Sequence, residues 1–80
     1  MTRFLIYVQL SNNPDAIAKM MLLVKQGQLS LEGATIASTD SGARLSAILT
    51  LIGTQQKAEW LTKKLLNYPF FHQAWLLRIQ

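Results

Sequence analysis

One histidine, His72, and four carboxylates, Asp15, Glu32, Asp40 and Glu59, are the side chains of this 80-residue chain best suited to acid–base or metal chemistry. Acid–base catalysis needs titratable groups held on either side of a reacting bond, and a metal site needs several ligands that converge. No two of the four acids share a short spacing that builds either arrangement. His72 has no carboxylate close to it in sequence, so a structural or surface role fits it better than catalysis. The chain has no cysteine. Thiolate nucleophiles, thiolate metal sites and disulfides are therefore excluded, which suits a cytoplasmic protein. Glycine-rich phosphate loops and the nucleophile-elbow motif are also missing. The expectation is a domain with no catalytic residue, no metal and no cofactor, acting by binding.

What it could bind is constrained by composition. Half of the residues are hydrophobic and only 15% are charged, against a usual charged share of about 25%. Such a chain is short of charge to cover its surface, so some apolar surface is expected to meet another chain. The net charge is +4. However, Arg3, Lys19, Lys25, Arg44, Lys57, Lys63, Lys64 and Arg78 are scattered, and a solvated surface explains them better than nucleic acid. The opening run, MTRFLIYVQLSNNP, is a poor signal peptide, and no stretch approaches the roughly 18 apolar residues of a membrane span.

The elements that must position any site follow from periodicity. Arg3 to Leu10 alternates as a strand, with Phe4, Ile6, Val8 and Leu10 on one face and Leu5 and Tyr7 on the other. Ser11-Asn12-Asn13-Pro14 ends it and starts a helix. Asn13 is placed to cap, Pro14 to occupy the first helical position, and Asp15 to complement the dipole. The helix runs from about residue 14 to 26, with Ile17, Met20, Met21 and Val24 as its buried stripe. Gly27 stands where a left-handed glycine would end it.

A second strand is expected over 28–38, with Leu29, Leu31 and Gly33 on one face and Ile36 on the other. Thr39-Asp40-Ser41-Gly42 forms a hairpin turn into a third strand, 44–52. There Leu45, Ala47, Leu49 and Leu51 oppose Ile48 and Ile52. Thr54 caps a second helix, about 55–67, with Ala58, Leu61, Leu65 and Tyr68 inward. Trp60, one position from that stripe, fits packing or a partner contact equally. The last strand is 70–79, with Phe71, Trp75, Leu77 and Ile79 alternating, and Trp75 is read as core.

The order is βαββαβ over a single domain, residues 1–80. Short connections and right-handed crossovers fold it as a four-stranded antiparallel sheet with both helices on one face, the ferredoxin-like α+β arrangement. The face away from the helices then carries Leu5, Tyr7, Ile36, Ile48, Ile52 and Leu76, and another sheet or subunit is expected to cover it. RNA-binding modules of this topology stack bases on aromatics of their central strands. Here the third strand has none. A metallochaperone of this topology needs a thiolate pair in its first loop, and this chain has no thiol.

Ser11-Asn12-Asn13-Pro14-Asp15-Ala16-Ile17 resembles the start of an ACT domain, where a strand leads into an Asn-x-Pro-Gly-type turn and a helix. Residues 24–33, 37–40, 49–53 and 61–68 are similar, in order, to the helix end, hairpin, glycine-closed third strand and second helix of the small subunits of acetolactate synthase. The resemblance implies a regulatory, non-catalytic chain. Such subunits form dimers, bind the thiamine-dependent catalytic large subunit and raise its activity. Many are inhibited by valine or a related amino acid bound at the first turn, between paired domains.

Carried onto this chain, the effector residues are Asn12, Asn13, Pro14, Asp15, Ala16 and Ser30. Two depart from the family's pattern. Asp15 replaces a glycine that lets the ligand reach the backbone, and Ser30 replaces an asparagine. A carboxylate at Asp15 repels an incoming amino-acid carboxylate by about 1 kcal/mol at about 4 Å even in water. The expectation is an activating subunit of the short, single-domain kind with weak or no valine response. A free-standing ACT domain that binds a small amino acid at a dimer interface is the alternative, and a basic nucleic-acid-binding domain ranks last.

Overall fold

The computed structural model describes residues 2–39 and 41–79. The sequence-predicted turn at Asp40 therefore lies partly outside the described residues. The elements are β1 (Thr2–Ser11), α1 (Pro14–Gln26), β2 (Ser30–Ser38), β3 (Arg44–Gly53), α2 (Gln55–Leu65) and β4 (Phe71–Arg78). The strands form one antiparallel sheet in the order β2-β3-β1-β4. This is the ferredoxin-like βαββαβ fold expected from the sequence.

The helix starts follow local chemistry. Asn13 Oδ1 accepts the Asp15 N–H at 2.9 Å and Pro14 occupies the first turn, so the cap and the fixed proline φ set the entry to α1. Thr54 Oγ1 accepts the Lys57 N–H at 3.2 Å and opens α2 in the same way. α2 closes at Leu65, two residues before the expected end. Its last carbonyls then take tight turn bonds from Asn67 and Tyr68, and Pro69 prevents a further turn.

A single apolar layer lies between sheet and helices. Phe4, Ile6, Val8 and Leu10 of β1 and Ala47, Leu49 and Leu51 of β3 are fully buried against Ala16, Met20 and Leu23 of α1 and Ala58, Leu61 and Leu65 of α2. Each large side chain contributes about 1.5–3 kcal/mol by leaving water. The buried stripe of α1 centres on Ala16, Met20, Leu23 and Val24. Ile17 and Met21, expected at its centre, pack half-buried along its edge.

Two bulges overturn part of the expected face assignment. On β4, Leu10 pairs with Phe71 but Gln9 pairs with Gln73, leaving His72 extra. The extra residue flips the phase of everything after it. Phe71, Ala74 and Leu76 consequently share the helix side, while Trp75 and Leu77 turn to the other. On β2, Leu31 pairs with Leu51 and Gly33 with Thr50, leaving Glu32 extra. Ile36 thus falls on the same side as Leu31, opposite Ala47. Leu76 and Ile36 are therefore corrected to the helix side, and Trp75 is exposed rather than core.

α2 packs over β4 and β1 and against α1. β2 lies beyond them at the edge of the sheet. Every β2 residue except Gly33 is exposed, Leu31 and Ile36 included.

Candidate functional site

The face opposite the helices is built from the alternate residues of three strands. Leu5 and Tyr7 project from β1, Ile48 and Ile52 from β3, and Trp75 and Leu77 from β4. The register sets Leu5 beside Leu77 and Tyr7 between Ile48 and Trp75. The Tyr7 and Trp75 rings are tilted by 60° with centroids 6.3 Å apart. Trp75 is 65% exposed and Leu77 61%. Burying both against a partner removes more apolar surface than any other neighbouring pair on this face offers.

The polar groups around this patch are mostly engaged. Tyr7 Oη and Ser46 Oγ are 3.2 Å apart. Arg3 grips Glu32 with Nη2 at 3.0 Å from Oε2 and Nε at 2.7 Å from Oε1. The extra residue in the β2 bulge is what brings Glu32 to Arg3. At the other end Arg44 Nη1 donates to Gln9 Oε1 at 3.1 Å, and His72 Nε2 lies 3.1 Å from Ser11 Oγ. All five lysines, Lys19, Lys25, Lys57, Lys63 and Lys64, belong to the helices. The lysines therefore sit away from the aromatic pair, and the arginines at the rim of this face, Arg3 and Arg44, are engaged by Glu32 and Gln9.

The sequence-predicted effector loop is only partly assembled. Asn12 Nδ2 donates to Gly42 O at 2.7 Å, tying the loop to the hairpin between β2 and β3. Asn13 Oδ1 holds the Asp15 N–H. Pro14 and Asp15 are exposed, whereas Ala16 is fully buried in the core. Ser30 pairs with Ile52, at the opposite end of the sheet from Ser11 and Arg44. The length of a strand, about 30 Å, separates it from Asn12 within one chain.

On β4, Trp75 and Leu77 are exposed residues that the alternation grouped with buried Phe71. The adjacent polar pair His72-Gln73, between buried Phe71 and Ala74, is the sequence signal of the bulge. Among the described residues, no group of three or more histidines and carboxylates is placed to hold a metal ion. No helix is long and apolar enough to cross a membrane.

No protein-family profile matches the sequence, and no curated protein matches it closely. Solved structures do match. The chain has the fold of an ACT domain. It superposes on the acetolactate synthase small subunit from Thermotoga maritima with a TM-score of 0.83 at 12% identity, covering 95% of this chain and 47% of that one. The ACT domain of GTP pyrophosphokinase from Chlorobium tepidum gives a TM-score of 0.75 at 10% identity, with 95% and 97% covered. The C-terminal domain of the MgtC protein from Mycobacterium tuberculosis gives 0.74 at 13% identity, with 98% and 87% covered. The chain thus spans about half of the small subunit and nearly all of the isolated ACT domain.

Proposed function

We propose that this chain is a non-catalytic regulatory module that works by binding other protein chains, and that it activates the catalytic subunit of acetolactate synthase from the cytoplasm. The observation that carries the reading is the Tyr7–Trp75–Leu77 patch, exposed on a sheet face that also carries Leu5, Ile48 and Ile52. Four strands about 4.8 Å apart and 8 to 10 residues long give a face of about 600 Å², near the ~800 Å² that each partner contributes to a standard interface. An exposed aromatic pair, with Tyr7 on an inner strand and Trp75 on the edge strand beside it, and the Arg3–Glu32 ion pair at the rim fit the anatomy of such interfaces. Likeness to an acetolactate synthase small subunit supports the choice of partner.

The test mixes the chain with the catalytic subunit from the same organism and measures acetolactate formation and co-elution. Increased turnover that Trp75→Ser abolishes supports the reading. Unchanged turnover without co-elution sinks it.

A second reading, a small amino acid held between two copies, is favoured by the β2 edge. That strand carries one charge, Glu32, already held by Arg3, and neither lysine nor proline to discourage pairing. Antiparallel pairing of β2 with β2 of a second copy brings Ser30 of one chain to the Asn12 end of the other. This homodimer would complete the loop that one chain leaves open. Sedimentation distinguishes it from a monomer, and calorimetry with amino acids tests the ligand.

A further inference from the structure

At the end of the molecule away from the Asn12 loop, an open cavity of about 430 Å³ is lined by Gln26, Gly27, Gln28, Gln56, Lys57 and Trp60. Its geometry depends on an unusual helix ending. Gly27 is right-handed, with φ −75°, and it is Gln28 that is left-handed, with φ 58°. A left-handed residue at this position is commonly glycine, because a Cβ there is strained. The glycine stands one residue early for a visible reason. A Cβ on Gly27 would lie 3.0 Å from Cζ3 and 3.2 Å from Cε3 of Trp60. Glycine lets the indole rest on the backbone, and Gln28 carries the strain.

A strained residue that keeps a long polar side chain beside a cavity marks a candidate binding position. Around it stand three carboxamides, each offering paired donors and an acceptor, an ammonium and an indole only partly covered. Trp60 is 38% exposed. Lys57 Nζ lies 3.5 Å from Gln28 O, a contact long enough to yield to a stronger acceptor. The first turn of α2 contains no acidic residue, so the positive end of the helix is not offset there. Glu59, the acid of α2, is bonded to Gln55.

We propose that this cavity binds a small planar anion: an aromatic or heteroaromatic ring bearing a carboxylate or phosphate. The ring stacks on Trp60, its polar edge meets the glutamine carboxamides, and its anionic group meets Lys57. A nucleoside monophosphate and an aromatic carboxylate share this chemistry. The site is separate from the sheet face and from the effector loop, and it does not depend on either reading above.

The test uses the whole chain with Trp75→Phe, which leaves Trp60 as the one indole. Fluorescence is titrated with AMP, with indole-free phenylpyruvate, and with inorganic phosphate and adenosine as half-ligands. Saturable quenching by AMP or phenylpyruvate, stronger than by either half-ligand and weakened about tenfold by Lys57→Gln, supports the proposal. Which of the two quenches identifies the source of the anion. Gln28→Gly supplies the separating variant: it removes backbone strain, so it should raise the melting temperature while weakening ligand binding. No saturable quenching by AMP or phenylpyruvate at millimolar concentration overturns the proposal, as does quenching that Lys57→Gln and Gln28→Gly leave unchanged.

Discussion

Tyr7 and Trp75 face each other across the β1–β4 pairing, 6.3 Å between ring centroids, on the side of the sheet opposite the helices. Neither strand alone places them there. The extra residue at His72 turns Trp75 outward, and the same shift turns Ala74 and Leu76 inward. One bulge thus completes the core and exposes the patch assigned to partner binding. The first prediction concerns this pair. Trp75→Ser removes a side chain that is 65% exposed but pairs with Tyr7, so folding stability should fall by no more than about 1.5 kcal/mol. Association with the catalytic subunit should be lost. Thermal melting and co-elution on the same preparation separate the two outcomes.

The second prediction concerns the loop. The Asp15 N–H that a ligand carboxylate would seek is already held by Asn13 Oδ1 at 2.9 Å, and the Asp15 carboxylate stands exposed beside it. Valine should therefore give no saturable heat with the unmodified chain, and Asp15→Gly should increase its affinity. Asn13→Ala should cost about 1 kcal/mol of stability through loss of the cap. Tight valine binding by the unmodified chain would overturn the assignment of Asp15 as a barrier.

Much of this fold was legible because β1 and β3 obey strict alternation. Their inward sets, Phe4 to Leu10 and Leu45 to Leu51, are buried in the structure, and Asn13 and Thr54 cap as their chemistry suggests. The errors fall at the two edge strands. A bulge inserts one residue without changing composition, so period-two reading loses phase at Glu32 and at His72 and misplaces Ile36, Leu76 and Trp75. Gly27 misled for another reason. Its role is set by the distant Trp60, and a local rule about helix ends cannot see that contact.

The third prediction contrasts two glycines. A Cβ at Gly53 would overlap Leu29 Cδ2, whereas one at Gly33 meets nothing within 4 Å. Leu29 is buried and can move only by disturbing its neighbours. Gly53→Ala should therefore cost about 1–3 kcal/mol. Gly33→Ala should be neutral or stabilising by up to about 1 kcal/mol, because alanine restricts the unfolded chain. Urea denaturation of the two variants measures both, and equal effects would refute the packing argument.

The last prediction isolates the contact between Gly27 and Trp60. In a right-handed helical position, alanine is favoured over glycine by about 1 kcal/mol. Gly27→Ala alone should fail to gain this, since the new Cβ presses on the indole at 3.0 Å. In a Trp60→Ala background the obstruction is gone and the gain should emerge. The double-mutant cycle should therefore show a coupling of about 1 kcal/mol or more, within the range found for residues in contact. Strict additivity would mean that the ring moves aside freely, and the choice of glycine at 27 would then need a different cause.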